Sequence, residues 1–278
     1  MPKRVWEKNC SMAEPASELE SAATADALTE DGWLGGRLLL VQPKRGHRVG
    51  TDAALLVAAA GDARQGRIVD VGAGVGAVGL ALAQRSSLAS VDLVELDPEL
   101  AALAESNAAR NGLQARTRVL PLDALNPRER REARLPESAS CVVTNPPFFD
   151  PRAVRASPDE SKARAHVLAG AEAGATLADW IRASLAILAP GGRFVMIHRP
   201  DALSLILAAI GNRLGALTIL PVHPTIGASA HRLLVSGVKG SKAPLRLAPG
   251  LVLHEADGRL TAEADAVHRG ERLIDWGG

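Results

Sequence analysis

Tyrosine is absent from this 278-residue chain and phenylalanine occurs three times, so aromatic side chains make up only 3% of it. Against that scarcity the adjacent pair Phe148-Phe149 stands out. Cysteine is as rare. Cys10 lies in a polar tail and Cys141 at the start of an apolar run, which leaves no disulfide framework and no metal-ligand spacing, and no metal is expected. The chain has no run of about 18 uncharged apolar residues, and its start has no apolar signal core. Neither membrane spanning nor secretion is therefore expected, and the cytoplasm is the default. No sign of charge dominates, since the net charge is +1, but residues 1–31 carry seven acidic side chains against Lys3, Arg4 and Lys8. The rest is mildly basic, which is compatible with a nucleic-acid partner without requiring one.

With 47% hydrophobic residues the chain can bury a large core. Residues 1–31, rich in Ala, Ser and Glu, read as a flexible extension, and residues 32–278 as one domain. Within it, 32–61 is a small strand/helix addition, 62–240 an alternating core, and 241–278 a closing strand and helix. Strands are expected at 37–41, 68–71, 91–96, 116–120, 140–144 and 193–198. Helices are expected at 51–61, 76–85, 98–111, 128–134, 177–188, 202–214 and 262–273, with Thr51-Asp52 as an N-cap. This alternation implies an α/β fold with a mostly parallel sheet covered by helices on both faces. Residues 217–222 and 232–238 face each other across a loop, which predicts an antiparallel pair at the sheet edge, and 246–253 is a further strand.

Residues 142–149 read Val-Val-Thr-Asn-Pro-Pro-Phe-Phe, a strand running into a stiff hook. Asn145 and Pro146 each precede a proline and are pushed to extended geometry, while the two proline rings fix φ near −65°. The hook offers the Asn145 side-chain oxygen and the Pro146 carbonyl as acceptors, with Phe148 following. Two oxygens can take the two hydrogens of an amino group on a flat ring whose π face the phenyl ring covers.

Asp70-Val-Gly72-Ala-Gly74-Val-Gly76 joins a strand to a helix, where glycines permit a tight turn and close approach of a ligand to the backbone. Glu95, 19 residues beyond Gly76, ends the next strand and can take both hydroxyls of a ribose. Asp97 before Pro98 reads as a helix cap. Asp123, at the end of the third strand, can accept from an exocyclic adenine amine or cap a turn. Residues 74–79 also satisfy the G-x-G-x-x-G pattern of dinucleotide binders, so an NAD-dependent dehydrogenase is the rival from another class, as is a catalytically idle RNA-binding module. A nicotinamide enzyme, however, has no need of Asn-Pro-Pro-Phe at its fourth strand.

In this order and spacing the motifs resemble class I S-adenosylmethionine-dependent methyltransferases of the Asn-Pro-Pro-Tyr/Phe group. More narrowly, residues 47–56 (His-Arg-Val-Gly-Thr-Asp-Ala-Ala-Leu-Leu), 145–149 and 160–164 resemble the bacterial tRNA1(Val) adenine-N6-methyltransferase family. The resemblance implies S-adenosylmethionine as cofactor, S-adenosylhomocysteine as product, tRNA as substrate, and Thr51 or Asp52 near the methionine end of the cofactor. A monomer is favoured. Guanine N2 in ribosomal RNA and the glutamine amide of release factors are alternative acceptors, because the same hook serves both.

Catalysis is expected to rest on positioning by Asn145, Pro146 and Phe148 without a general base. The seven histidines are scattered and are expected to be surface or core residues. Two basic segments are candidates for phosphate contacts: Arg37, Lys44, Arg45 and Arg48 before the glycine loop, and Arg152, Arg155, Lys162 and Arg164 after the hook. Both should lie near the carboxyl ends of the strands, where open α/β sheets bind ligands.

Overall fold

A computed structural model of the chain describes residues 27–45, 48–61, 63, 65–147 and 175–277. A two-stranded hairpin, β1 (Leu28–Trp33) with β2 (Leu38–Pro43), precedes helix α1 (Thr51–Ala60). The alternating part follows: β3 (Gln65–Val71), α2 (Ala77–Arg85), β4 (Leu88–Glu95), α3 (Pro98–Arg110), β5 (Thr117–Pro121), α4 (Pro127–Glu132) and β6 (Ala139–Thr144). Then come α5 (Leu177–Ile187), β7 (Leu188–His198), α6 (Leu203–Ile210), β8 (Leu214–Thr225), β9 (Arg232–Lys239), β10 (Arg246–Leu247), β11 (Leu251–His254) and α7 (Ala262–His268).

The nine-stranded sheet runs β10-β8-β9-β7-β6-β3-β4-β5, with β11 also on β8. Strands β5, β4, β3, β6 and β7 are parallel, and β9 is antiparallel to both β7 and β8. The central strands are short apolar runs buried on both faces, as parallel strands under helices must be. Alternation divides their side chains between two cores. Ile68, Leu93, Val143, Val195 and Leu234 pack under α1, α2 and α7, whereas Val69, Val71, Val142, Phe194 and Met196 pack under α5 and α6.

The structure departs from the sequence expectations where charge or glycine intervenes. Residues 28–31, placed in the extension, belong to β1; the acidic residues that disguised this strand include Glu30, paired with Arg110, and Asp31, paired with Arg48. Thr51 and Asp52 are not caps. Gly50 occupies the N-cap without a side-chain bond, and both residues lie inside the first turn of α1. The helix expected at 202–214 ends at Ile210 before Gly211, and Leu214 already begins β8. The antiparallel pair is not at the very edge, because β10 and β11 cover the outer side of β8. These two replace the single strand expected at 246–253, and the last helix stops at His268. No helix among the described residues is long and apolar enough to cross a membrane.

Candidate functional site

The carboxyl ends of β3, β4, β5 and β6 meet along one rim of the sheet. At the centre, β3 leaves Val71 for the glycine loop. Gly72, Gly74 and Gly76 all have positive φ (77°, 57° and 86°), a region closed to most side chains. Gly72 is doubly constrained, since an added Cβ would lie 2.9 Å from a ring carbon of Trp180. The loop hangs from the end of β4, because the Gly72 and Ala73 amides both donate to the Val94 carbonyl at 2.9 and 3.0 Å.

Two carboxylates brace this loop. Asp70 is 2% exposed and accepts from the Gly79 amide at 2.9 Å, tying the strand end to α2. Burial pushes its carboxyl up to about 7, with the Gly79 hydrogen bond opposing and the nearby Glu95 charge adding to the rise. Glu95 accepts from the Gly74 amide at 2.7 Å through one oxygen and from the Asp97 amide at 2.9 Å through the other. Burial also raises the Glu95 carboxyl above its ordinary range. A carboxylate has about four acceptor sites, so beyond these backbone amides the group can still accept from a ribose hydroxyl.

Asp123 accepts from the Leu125 amide at 2.8 Å and its own amide donates to Glu129, also at 2.8 Å. It therefore orders the turn before α4 and stands at the rim beyond β5. Asp97 caps α3 through the amides of Glu99 and Leu100.

The hook comes next to the loop by strand register. Val71 pairs with Thr144, so the residues that follow, Gly72 and Asn145, leave the sheet side by side. Pro146 is buried and Asn145 and Pro147 are half-buried. On the other flank, Asp52 forms an ion pair with Arg232 at 2.8 Å. His198, at the end of β7, is buried, and its burial holds the imidazole below its ordinary value. Among the described residues no group of three acidic, His or Cys side chains could hold a metal ion.

Lys44, Arg45 and Arg48 are exposed on the segment leading into α1, with Arg48 paired to Asp31 at 2.8 Å. Phe148, Phe149, Arg152, Arg155, Lys162 and Arg164 lie outside the described residues. The structure therefore brings together Asp70, the three glycines, Glu95, Asp123 and Asn145, with Thr51 and Asp52 at the start of α1. Sequence reading missed Thr144, Trp180 and Arg232. Thr144 carries the signal of a hydroxyl residue ending an apolar strand, but Trp180 and Arg232 meet the site only through tertiary packing.

Comparison with known proteins agrees with this geometry. The family model described as "Methyltransferase small domain" matches residues 46–161, which include the glycine loop and the hook. A tRNA1(Val) (adenine(37)-N6)-methyltransferase of Erwinia tasmaniensis is 36% identical over 138 residues, covering 49% of this chain and 55% of that protein. One of the same description from Musicola paradisiaca is 32% identical over 171 residues, covering 61% and 65%. The aligned part thus spans about half to two thirds of those relatives. A crystal structure described as a predicted O-methyltransferase from Agrobacterium tumefaciens superposes with a TM-score of 0.66 at 34% identity, over 80% of this chain and 98% of that one. The Thermus 16S rRNA N2 G1207 methyltransferase, solved with AdoMet and guanosine, shares the fold at a TM-score of 0.51 and 21% identity, over 76% and 50%. With a solved relative matched almost end to end and the family model lying over the loop and the hook, the chain belongs to the class I methyltransferases of the small-domain family.

Proposed function

We propose that this protein transfers a methyl group from S-adenosylmethionine to N6 of an adenine in a tRNA anticodon loop, the adenine just 3′ of the anticodon. The observation that carries the reading is the register Val71 to Thr144, which sets Asn145-Pro146-Pro147 beside the glycine loop. The fit to the cofactor rests on this chain's own groups. Gly74 faces open space where a Cβ would stand, and Glu95 presents a carboxylate at the rim. When bound, the cofactor supplies an electrophilic methyl group on a sulfonium.

An adenine N6 lone pair is delocalised into the ring, so the nitrogen is a poor nucleophile until it is pyramidalised. The Asn145 oxygen and the Pro146 carbonyl accept its two hydrogens and orient the lone pair. Near-attack positioning contributes roughly 7 to 11 kcal/mol, whereas one oriented hydrogen-bonding group contributes about 3. The methylated nitrogen is cationic and sheds its proton readily, so no histidine is required. A hydroxyl acceptor has one hydrogen to give and needs a base, which is why the hook favours nitrogen over the oxygen named for the Agrobacterium relative. Phe148 stacks on the base, contributing about 1 to 3 kcal/mol. Lys44, Arg45 and Arg48, with Arg152, Arg155, Lys162 and Arg164, hold phosphates and offset the few kcal/mol of unstacking the target base.

The test is methyl-labelled cofactor offered separately to total tRNA, ribosomal RNA and release factor, followed by nucleoside mass spectrometry. Label in tRNA as N6-methyladenosine is expected, with Asn145→Ala losing about 100-fold or more of the rate while still binding S-adenosylhomocysteine and tRNA. Label confined to ribosomal RNA or protein overturns the reading.

A further inference from the structure

The loop and the hook are joined by a buried hydrogen-bonded chain that no motif announces. The Trp180 indole N–H, on the first turns of α5, donates to Thr144 Oγ1 at 2.9 Å, and that hydroxyl donates to the Val71 carbonyl at 2.8 Å. Val71 and Thr144 are the last residues of β3 and β6, and both are wholly buried. Beyond Asn145 the chain presents two prolines, which have no N–H to continue the ladder. The Thr144 hydroxyl thus bonds across the strands where backbone pairing stops. A hydroxyl has one proton, so once it donates to Val71 it can only accept from a third group, and the indole, which only donates, meets that need. The same ring lies against Gly72, so close that a Cβ there would fall 2.9 Å from Cζ2.

One side chain therefore touches the first residue of the loop with its carbons and the last residue before the hook with its nitrogen. We propose that Trp180 is a positioning residue which, through Thr144, fixes the glycine loop and Asn145 relative to one another. It thereby sets the approach of the acceptor amine to the cofactor methyl. This rests on the methyl-transfer reading above but concerns residues outside both motifs. Catalysis by positioning is sensitive to shifts of about 1 Å, so the loss should appear in the rate of the bound complex.

The variant Thr144→Val keeps the side-chain shape and removes both hydrogen bonds of the hydroxyl, Trp180→Phe removes the indole N–H together with the carbons that lie against Gly72, and Thr144→Ser keeps the hydroxyl. In the ligand-free protein, amide hydrogen exchange is expected to rise together in residues 72–76 and in the stretch ending at Asn145, for both Phe and Val variants and not for Ser. In single-turnover methylation with saturating tRNA and cofactor, each of the two is expected to be about 10- to 100-fold slower. S-adenosylhomocysteine affinity should hold within about threefold, and the double variant should be no slower than the worse single one. Exchange that rises in only one of the two segments, or rate losses that multiply in the double variant, overturns the proposal. A wild-type protein that binds S-adenosylhomocysteine yet methylates no tRNA defeats the substrate reading instead, and the exchange comparison still decides the coupling.

Discussion

Asp52 and Arg232 stand 180 residues apart in the chain, and their side chains meet at 2.8 Å where α1 begins and β9 enters the sheet. Each is 23% exposed, which leaves the pair partly desolvated and gives it more weight than a surface ion pair. Asp52 also lies in the first turn of α1, where the helix dipole favours a negative charge. Arg232 donates further to the His231 carbonyl, so it is held on both sides. Removing either partner, in Asp52→Asn or Arg232→Met, should lower the unfolding free energy by about 1 to 3 kcal/mol. In a double-mutant cycle by urea denaturation the two losses should overlap, with a coupling of at least about 0.5 kcal/mol. Strict additivity would show that the pair contributes nothing beyond its separate charges.

Asp92 lies on β4, between β3 and β5, and is bridged by arginines from both neighbours. Arg67 Nε donates at 2.7 Å, Arg118 Nε at 3.0 Å and a second Arg118 nitrogen at 2.9 Å. The two guanidinium groups also reach the Arg134 and Ala133 carbonyls and so fasten the end of α4 to the sheet. The Asp92 hydrogen bond holds the Arg118 guanidinium above its ordinary value. The carboxylate is 7% exposed while Arg67 and Arg118 are 23% and 50% exposed, which fixes a rank order for truncation. Asp92→Ala, which strands two cations, should cost about 3 to 5 kcal/mol, Arg67→Gln about 2, and the solvent-screened Arg118→Gln under about 1. Thermal unfolding that places Arg118 above Asp92 contradicts this account.

The alternation of strand and helix was readable because parallel strands buried on both faces are short apolar runs, as at residues 68–71 and 141–144. The loop and hook were readable for a different reason: glycines at positive φ and paired prolines are local demands on the backbone, visible without knowing the neighbours. Residues that act through space were hidden. Nothing near Trp180 in the chain marks it as the neighbour of Gly72, and the role of Arg232 depends on a helix 180 residues earlier. Asp52 reads from its context as a helix cap, and by resemblance as a neighbour of the cofactor, but its ion pair is hidden because the partner is 180 residues away. Strand β1 is hidden in the sequence because Glu30 and Asp31 have weak strand propensity, which the hairpin ladder outweighs.

Asn107 on α3 and Asn111, the C-cap of that helix one turn later, hold the β1–β2 hairpin by imitating a strand edge. Asn107 accepts from the Val41 amide at 2.8 Å and donates to the Val41 carbonyl at 3.0 Å, and Asn111 repeats the pattern on Leu39 at 3.0 and 2.8 Å. The Asn107 amide also donates to the Val75 carbonyl at 3.0 Å, so the hairpin and the glycine loop share one anchor. Asn107 is fully buried, and its removal leaves the Val41 amide without a partner. Asn107→Ala should therefore cost about 2 to 4 kcal/mol, and Asn111→Ala, at the exposed end, about 1. Hydrogen exchange should quicken in β2 for both but in residues 73–76 for Asn107→Ala alone.

Asp70 gives the site a pH signature with a definite sign. Its ordinary value is 3.8 and burial raises it to about 7 in the folded protein, so between those values the folded state holds a proton that the unfolded chain has released. Its contribution to stability is therefore full below about pH 4 and is lost as pH rises to about 7, with an upper slope of about 1.4 kcal/mol per pH unit. The variant Asp70→Asn keeps an oxygen to accept from Gly79 and carries no charge to desolvate. Every other titrating group is common to both proteins, so the difference in unfolding free energy isolates this carboxyl. Asp70→Asn should gain on the wild type steadily from pH 4 to pH 7 and hold a constant advantage above about pH 8. The expected increase by urea unfolding is a few kcal/mol at most. A difference that stays flat across that window would mean Asp70 is ionised in the folded state at acid pH, with the Gly79 amide and the loop dipoles outweighing burial.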